Sequence, residues 1–229
     1  MHRRTTSAAV LALTTLTLPG CSTSPSAPPE HPSPATAQHN QPSSGAKPAT
    51  LISSALLRER LLDESDLGAG YIRKPDSPSD HDDVAVTGCP PLKALGGAAA
   101  SGSLDFPRRA KTTFAYTDSG SAISEDLYSD TEAQLSRDTG RIFDAMTACP
   151  SYQVVAGGTP VGVTVRKVPS PRVGDEQWSL QMTYTAGVRT TVVKQTTIRI
   201  GTVVVSITGS PGLVDAHLDK ALSKARSIH

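Results

Sequence analysis

The sequence predicts an α+β head, an antiparallel twisted sheet of about five to seven strands flanked by helices and closed by one disulfide. Three observations predict it. Trp178, Leu180, Met182 and Tyr184 alternate with Ser179, Gln181 and Thr183, the pattern of a strand with one buried face. Leu135, Ile142, Phe143 and Met146 recur at helical spacing on one face of a neighbouring segment. Two matching dipeptides, Cys89-Pro90 and Cys149-Pro150, hold the only cysteines that follow Cys21.

The chain has 229 residues and a formal net charge of +1. Removing Arg3 and Arg4 lowers that to −1. A near-neutral chain lacks the electrostatic footprint of a nucleic-acid binder. Aromatic residues make up 4% of it, too few for base-stacking platforms.

Residues 1–20 read as an export signal. Arg3 and Arg4 form a positive start, and Ala8 to Leu18 an apolar run well short of the ~20 residues that span a bilayer. The run ends in Leu18-Pro19-Gly20-Cys21, which resembles a bacterial lipobox and implies lipidation of Cys21. Pro19 departs from the usual small or branched residue there. Export to the outer face of the cell membrane, with a lipid anchor on Cys21, is the expected location. Residues 21–50 then form a tether. Pro25, Pro28, Pro29, Pro32, Pro34, Pro42 and Pro48 interrupt Ser, Ala, Thr and Gln, with almost nothing apolar to bury. At ~3.1 Å per residue its reach is about 90 Å, enough to hold a head away from the membrane.

The head is expected over 51–229. Leu51, Ile52, Ala55, Leu56, Leu57, Leu61 and Leu62 predict a helix ending near Asp63. A turn over 64–67 leads to Gly68 and Gly70, and Tyr71 to Lys74 form a short strand. Residues 75–88 read as loop. Cys89-Pro90-Pro91-Leu92 opens a helix, since Pro suits the first turn, and that helix runs toward Gly102. Strands over 111–117 and 122–128 flank a hairpin turn at 118–121. Ser129-Asp130-Thr131-Glu132 has capping-box spacing and starts the amphipathic helix, with Cys149 at the buried edge of its last turn and Pro150 ending it.

The rest is mostly strand. Segments 152–156 and 161–168 flank a Gly-Gly-Thr-Pro turn. Segments 190–200 and 202–208 are rich in β-branched residues and meet at Gly201. Ser210-Pro211 starts a last helix with Val214, Leu218, Ala221, Leu222 and Ala225 toward the sheet.

Export favours a disulfide between Cys89 and Cys149, because a reactive thiol or metal site would want an activating His or C-x-x-C spacing, and neither is present. Asp80-His81-Asp82-Asp83 reads as a solvated acidic loop, since adjacent side chains seldom converge on one ion. Neither a metal nor another cofactor is expected. The sequence lacks Gly-x-Ser-x-Gly, His-Glu-x-x-His, a P-loop and Gly-x-Gly-x-x-Gly. Its one Ser-x-x-Lys, Ser44 to Lys47, falls in the tether. Asp175 and Glu176 are adjacent and, on a strand, would point to opposite faces, one of them capping the strand start. The sequence therefore contains no catalytic set. Trp178, Tyr184 and His217 are the cleft candidates. Core packing is the favoured reading of Trp178, and a hydrogen-bonded boundary position that of His217.

Leu67-Gly68-Ala69-Gly70-Tyr71, Cys89-Pro90-Pro91-Leu92, Phe143 through Ser151, Gly174-Asp175-Glu176 and Arg199 to Val204 occur in an order that resembles the PknH-like extracellular sensor domain family of actinobacteria. The resemblance covers residues 55–227. It implies an antiparallel sheet flanked by helices, disulfide stapling and a cleft for an unknown small ligand or cell-envelope partner. The family's kinase member has a second cysteine pair, which this chain lacks. Two functions follow as expectations: a non-catalytic, lipid-anchored sensor or ligand-binding lipoprotein, or an envelope lipid carrier with an apolar cavity of ~1,000 Å³ or more.

Overall fold

A computed structural model describes residues 50–75, 84–96, 104–156 and 158–227. The export signal, most of the tether, Cys21 and the Asp80–Asp83 loop lie outside the described residues. Their elements, in order, are α1 (Ser54–Glu59), α2 (Glu64–Leu67), β1 (Tyr71–Arg73), β2 (Ala85–Thr87), α3 (Pro90–Leu95), β3 (Arg109–Tyr116) and β4 (Ala122–Ser129). Then come α4 (Glu132–Thr147), β5 (Ser151–Ala156), β6 (Thr159–Lys167), β7 (Glu176–Ala186), β8 (Arg189–Ile200), β9 (Val203–Gly209) and α5 (Pro211–Arg226).

The strands form one antiparallel sheet in the order β1-β3-β4-β9-β8-β7-β6-β5-β2. The α+β expectation holds, with nine strands rather than five to seven. The two edges, β1 and β2, are three residues each, too short to show alternation. β2 lies in the stretch expected to be loop. It pairs with β5 through Val86 opposite Val154.

Helices cover opposite faces at opposite ends of this sheet. Adjacent residues of a strand point to opposite faces, so Ile198 and Thr197 of β8 separate the two layers. On one face α1, α2 and α5 pack on β1, β3, β4, β9 and β8, around Leu57, Phe114, Ile123, Leu127, Ile207 and Leu222. On the other, α3 and α4 pack on β2, β5, β6 and β7, around Leu92, Met146, Val163, Leu180 and Met182. Leu104, Phe106, Tyr128, Leu135 and Val204 extend this second core toward the middle of the sheet. The first face of β2, β5, β6 and β7 carries no helix among the described residues.

Local chemistry moves several boundaries. The N-terminal apolar run splits into two helices because Asp63 accepts hydrogen bonds from the Ser65 and Asp66 N–H groups and Asp66 reaches back to the Asp63 N–H. That capping box turns the expected turn over 64–67 into α2. The cap of α4 is Thr131, whose hydroxyl accepts from the Gln134 N–H. Ser129 is occupied elsewhere. It closes β4 opposite Val203, and its hydroxyl accepts from Ile52 N–H at 2.9 Å. Helix α3 stops at Gly96 rather than running on to Gly102. Cys149 lies just beyond the end of α4, not in its last turn. The face predicted for α5 is the buried face observed.

Candidate functional site

The Cys89–Cys149 disulfide is present, with the two Cα atoms 5.7 Å apart. It ties the residue before α3 to the residue after the C-cap of α4, so it holds the β2–α3 segment on the second core. Cys89 is buried there beside Leu92 and Met146.

Beyond the staple, α4 and the sheet leave a crevice. β7 contributes Trp178 and Leu180, and β8 contributes Gln195 and Thr197. Thr139, Ile142, Phe143 and Met146 of α4 form the opposite wall, and Leu104 closes one end. Strand register explains the pairing of walls. Trp178 lies opposite Thr197 and Leu180 opposite Gln195, so all four side chains share the face that α4 covers. The enclosed volume is about 20 Å³, room for little more than one water.

Thr139 is the polar anomaly in this crevice. It is 4% exposed, and its hydroxyl has no hydrogen-bond partner among the described residues. A buried hydroxyl left unpaired costs about 1–3 kcal/mol. The signal was present in the sequence. Thr139 follows Leu135 by four residues and precedes Ile142 and Phe143 by three and four, which places a hydroxyl inside the apolar stripe of α4.

The three cleft candidates do not come together. Trp178 lines the crevice and is half-buried. Tyr184 lies on the same face, farther along β7. Its hydroxyl donates to Met182 Sδ at 3.1 Å, and burial pushes its phenol pKa up. His217 is on α5, across the sheet. Its Nε2 sits 3.4 Å from the Tyr71 hydroxyl, the two rings meet edge to face, and burial lowers its pKa. His217 thus takes the hydrogen-bonded boundary position expected of it.

Asp175 and Glu176 correct the strand argument. Both reach one cation, Arg199. Glu176 Oε2 accepts from Arg199 Nε at 2.8 Å, and Asp175 Oδ2 accepts from Arg199 Nη1 at 3.2 Å and from Gly201 N–H at 2.6 Å. Asp175 precedes the first residue of β7, so strand alternation does not govern it. Desolvation alone would raise the Glu176 carboxyl. Hydrogen bonds from Arg199 and Ser136 outweigh it and hold the pKa below the ordinary value. This cluster locks the start of β7, the end of β8 and α4 together at the mouth of the molecule's second core. Among the described residues no group of His, Cys, Asp and Glu is arranged to hold a metal ion.

The extracellular domain of PknH from Mycobacterium tuberculosis superposes on this chain with a TM-score of 0.55, covering 77% of this chain and 97% of that domain at 13% sequence identity. The chain has the fold of the PknH extracellular domain. A protein of Mycobacterium smegmatis, the Rv0999 ortholog, also aligns, at a TM-score of 0.39 and 13% identity, over 71% of this chain and 93% of its own. No family model and no curated protein matches the sequence. Among the described residues no helix is long and apolar enough to cross a membrane.

Proposed function

We propose that this protein is an extracytoplasmic, sensor-type lipoprotein, anchored through Cys21, that binds a small molecule without catalysis in the crevice between α4 and β7–β8. The observation that carries the reading is Thr139. Its unpaired buried hydroxyl lines an otherwise apolar crevice beside Trp178. The ligand that fits is neutral and enters by one terminal group of about the size of a water, which meets Trp178 and Phe143 and exchanges one hydrogen bond with Thr139, the rest of the ligand staying outside the crevice. The PknH fold supports the sensor part of the reading, and the lipobox and tether support the anchor. A crevice of about 20 Å³ favours a small ligand over the acyl chains of a carrier, which would need ~1,000 Å³.

Trp178 is the sole tryptophan, so fluorescence excited selectively at tryptophan is emitted from this site. A library of small neutral compounds titrated against the protein is expected to yield saturable shifts in its emission. Thr139→Val, which keeps the shape and removes the hydroxyl, is expected to abolish them. Compounds that bind wild type and Thr139→Val equally would overturn the assignment. Detergent partitioning tests the anchor: wild type is expected in the detergent phase and Cys21→Ser in the aqueous phase.

A further inference from the structure

We infer that the helix-free face of β2, β5, β6 and β7 carries a second binding site, for a neutral saccharide chain, floored by Gly162. This site is on the opposite side of the sheet from the crevice and does not depend on it. Register sets it out. Thr87, Gln153, Gly162 and Thr185 are successive cross-strand partners and form one row across the four strands. Ser151 and Thr164 stand side by side in the next row on the same face. Gly162 is the gap in the first row, and these residues surround a depression of about 430 Å³.

Nothing in the fold requires glycine at 162. Its backbone is not in the left-handed region, and a Cβ built on it would meet only Thr185 O, at 3.7 Å, an ordinary contact. Glycine inside a strand weakens the strand, and its structural excuses are a bulge, a bend or the close approach of another group. β6 pairs without interruption with β5 on one side, from Thr159 to Thr164, and with β7 on the other, from Gly162 to Lys167. Bulge and bend are therefore excluded, and no other part of the described chain fills the space. Close approach of a ligand remains.

The lining selects the ligand's chemistry. The side chains around the floor are three threonines, a serine and a glutamine, all exposed. Among the described residues none of them is engaged in a side-chain hydrogen bond, so each can both donate and accept. None of these side chains lining the depression is ionisable; Arg166, two residues beyond Thr164 on the same face, donates to Gln181 Oε1 at 2.7 Å instead. The aromatic ring of Tyr152 and the side chain of Val163 belong to the other face, so an apolar ligand would gain little. A polyhydroxylated, uncharged ligand matches the lining, and the bare backbone at Gly162 lets a ring lie flat on the sheet. The row runs from edge strand β2 inward and is open along its length, which suits a chain of sugars over a single one.

The test uses the full chain carrying Cys21→Ser, with cellohexaose, maltohexaose, chitohexaose and glucose as probes, followed by backbone amide shifts. Saturable shifts are expected at 151–153, 162–164 and 185 for at least one hexaose, at least tenfold tighter than for glucose. Gly162→Val suits a strand, meets open space and is expected to fold with an unchanged or raised melting temperature while losing the shifts. Gln153→Ala, which leaves the floor alone, is expected to weaken binding about tenfold. Absence of saturable shifts with every hexaose, shifts confined to other residues, or equal binding by wild type and both variants would each overturn the proposal.

Discussion

Glu125 Oε2 accepts the Leu62 backbone N–H at 2.6 Å inside the first core, where Glu125 is 1% exposed. Its Oε1 has no partner among the described residues. Leu62 sits between α1 and α2, so a single buried carboxyl on β4 fastens the helical corner to the sheet. Arg73 supports the same corner: it donates to the hydroxyl of Thr112, the cross-strand neighbour of Glu125, and to Leu62 O.

Glu125 makes stability fall as pH rises through the neutral range. Burial raises its pKa from 4.5 to about 8, against the opposing pull of the Leu62 N–H and the Lys224 charge. Between those values the folded state holds a proton that the unfolded chain has lost. The contribution is therefore fully present below about 4.5 and is lost as pH climbs through 8. Asp63 and Asp66 run the other way. Ser65 and Lys224 hold the Asp63 carboxyl down. Hydrogen bonds from Lys224, Asp63 and Lys220 do so for Asp66 against its desolvation. Both contribute stability above the ordinary carboxylate value and lose it in acid. Urea midpoints are expected to peak near pH 4–5 and to decline toward pH 8 by an amount worth a few kcal/mol. Glu125→Gln is expected to flatten that decline, and an unchanged slope would remove Glu125 as its cause.

Arg199 is expected to be the most sensitive charged position on the second face. It is about 9% exposed and bridges Asp175, Glu176 and the Gly201 carbonyl. Arg199→Ala leaves three carboxylates, Asp175, Glu176 and Glu132, without their shared cation, Glu176 being the most shielded from water. Loss of a partner in a fully buried pair costs about 3–5 kcal/mol. With Asp175 half exposed, about 2 kcal/mol is expected, read from denaturant midpoints. Arg199→Lys keeps the charge but not the fork, and is expected to recover less than half of the loss.

What was legible in the sequence was whatever depends on near neighbours. The alternation of β7, the stripe of α5 and the Cys-Pro pairs each announce themselves within a few residues or by elimination. What was not legible depends on partners distant in the chain. Ser129 looks like a cap until Ile52, 77 residues away, takes its hydroxyl. β2 is three residues long and is a strand only because β5 lies beside it. His217 and Trp178 share no cleft because the face of each is set by its element's place on the sheet, which neither local pattern reveals. The crevice was half visible: Trp178 stood out as the sole tryptophan, whereas Thr139 had to be recognised as a hydroxyl among apolar neighbours.

Gly174 is expected to tolerate no side chain. Its φ is +77°, and an added Cβ would come within 2.5 Å of Ile198 Cγ2 and 2.6 Å of Arg199 O. The second contact is with backbone and cannot swing away. Gly174→Ala combines left-handed strain of about 1 kcal/mol with this overlap. It should lower the melting temperature by several degrees more than Gly212→Ala, where a built Cβ meets nothing within 4 Å. Equal losses at the two positions would contradict the close approach of this loop to β8.

The disulfide closes a loop of 60 residues, for which chain entropy alone is worth roughly 4 kcal/mol. That loop contains α3, β3, β4 and α4 but not the long strands β6 to β9. Replacing both cysteines, Cys89→Ser with Cys149→Ser, is therefore expected to do two separable things. Global stability should fall by an amount approaching that figure, read from urea unfolding. Hydrogen exchange should accelerate locally in β2 and α3, which the described structure fixes through three residue pairs with β5, contacts with α4 and this one covalent link. Exchange in β8 and β9, remote from the staple and central in the sheet, should rise only in proportion to the global loss. Uniform acceleration across the whole sheet, with β2 and α3 no worse than β9, would show that the staple acts on the unfolded chain alone and does not hold the β2–α3 segment.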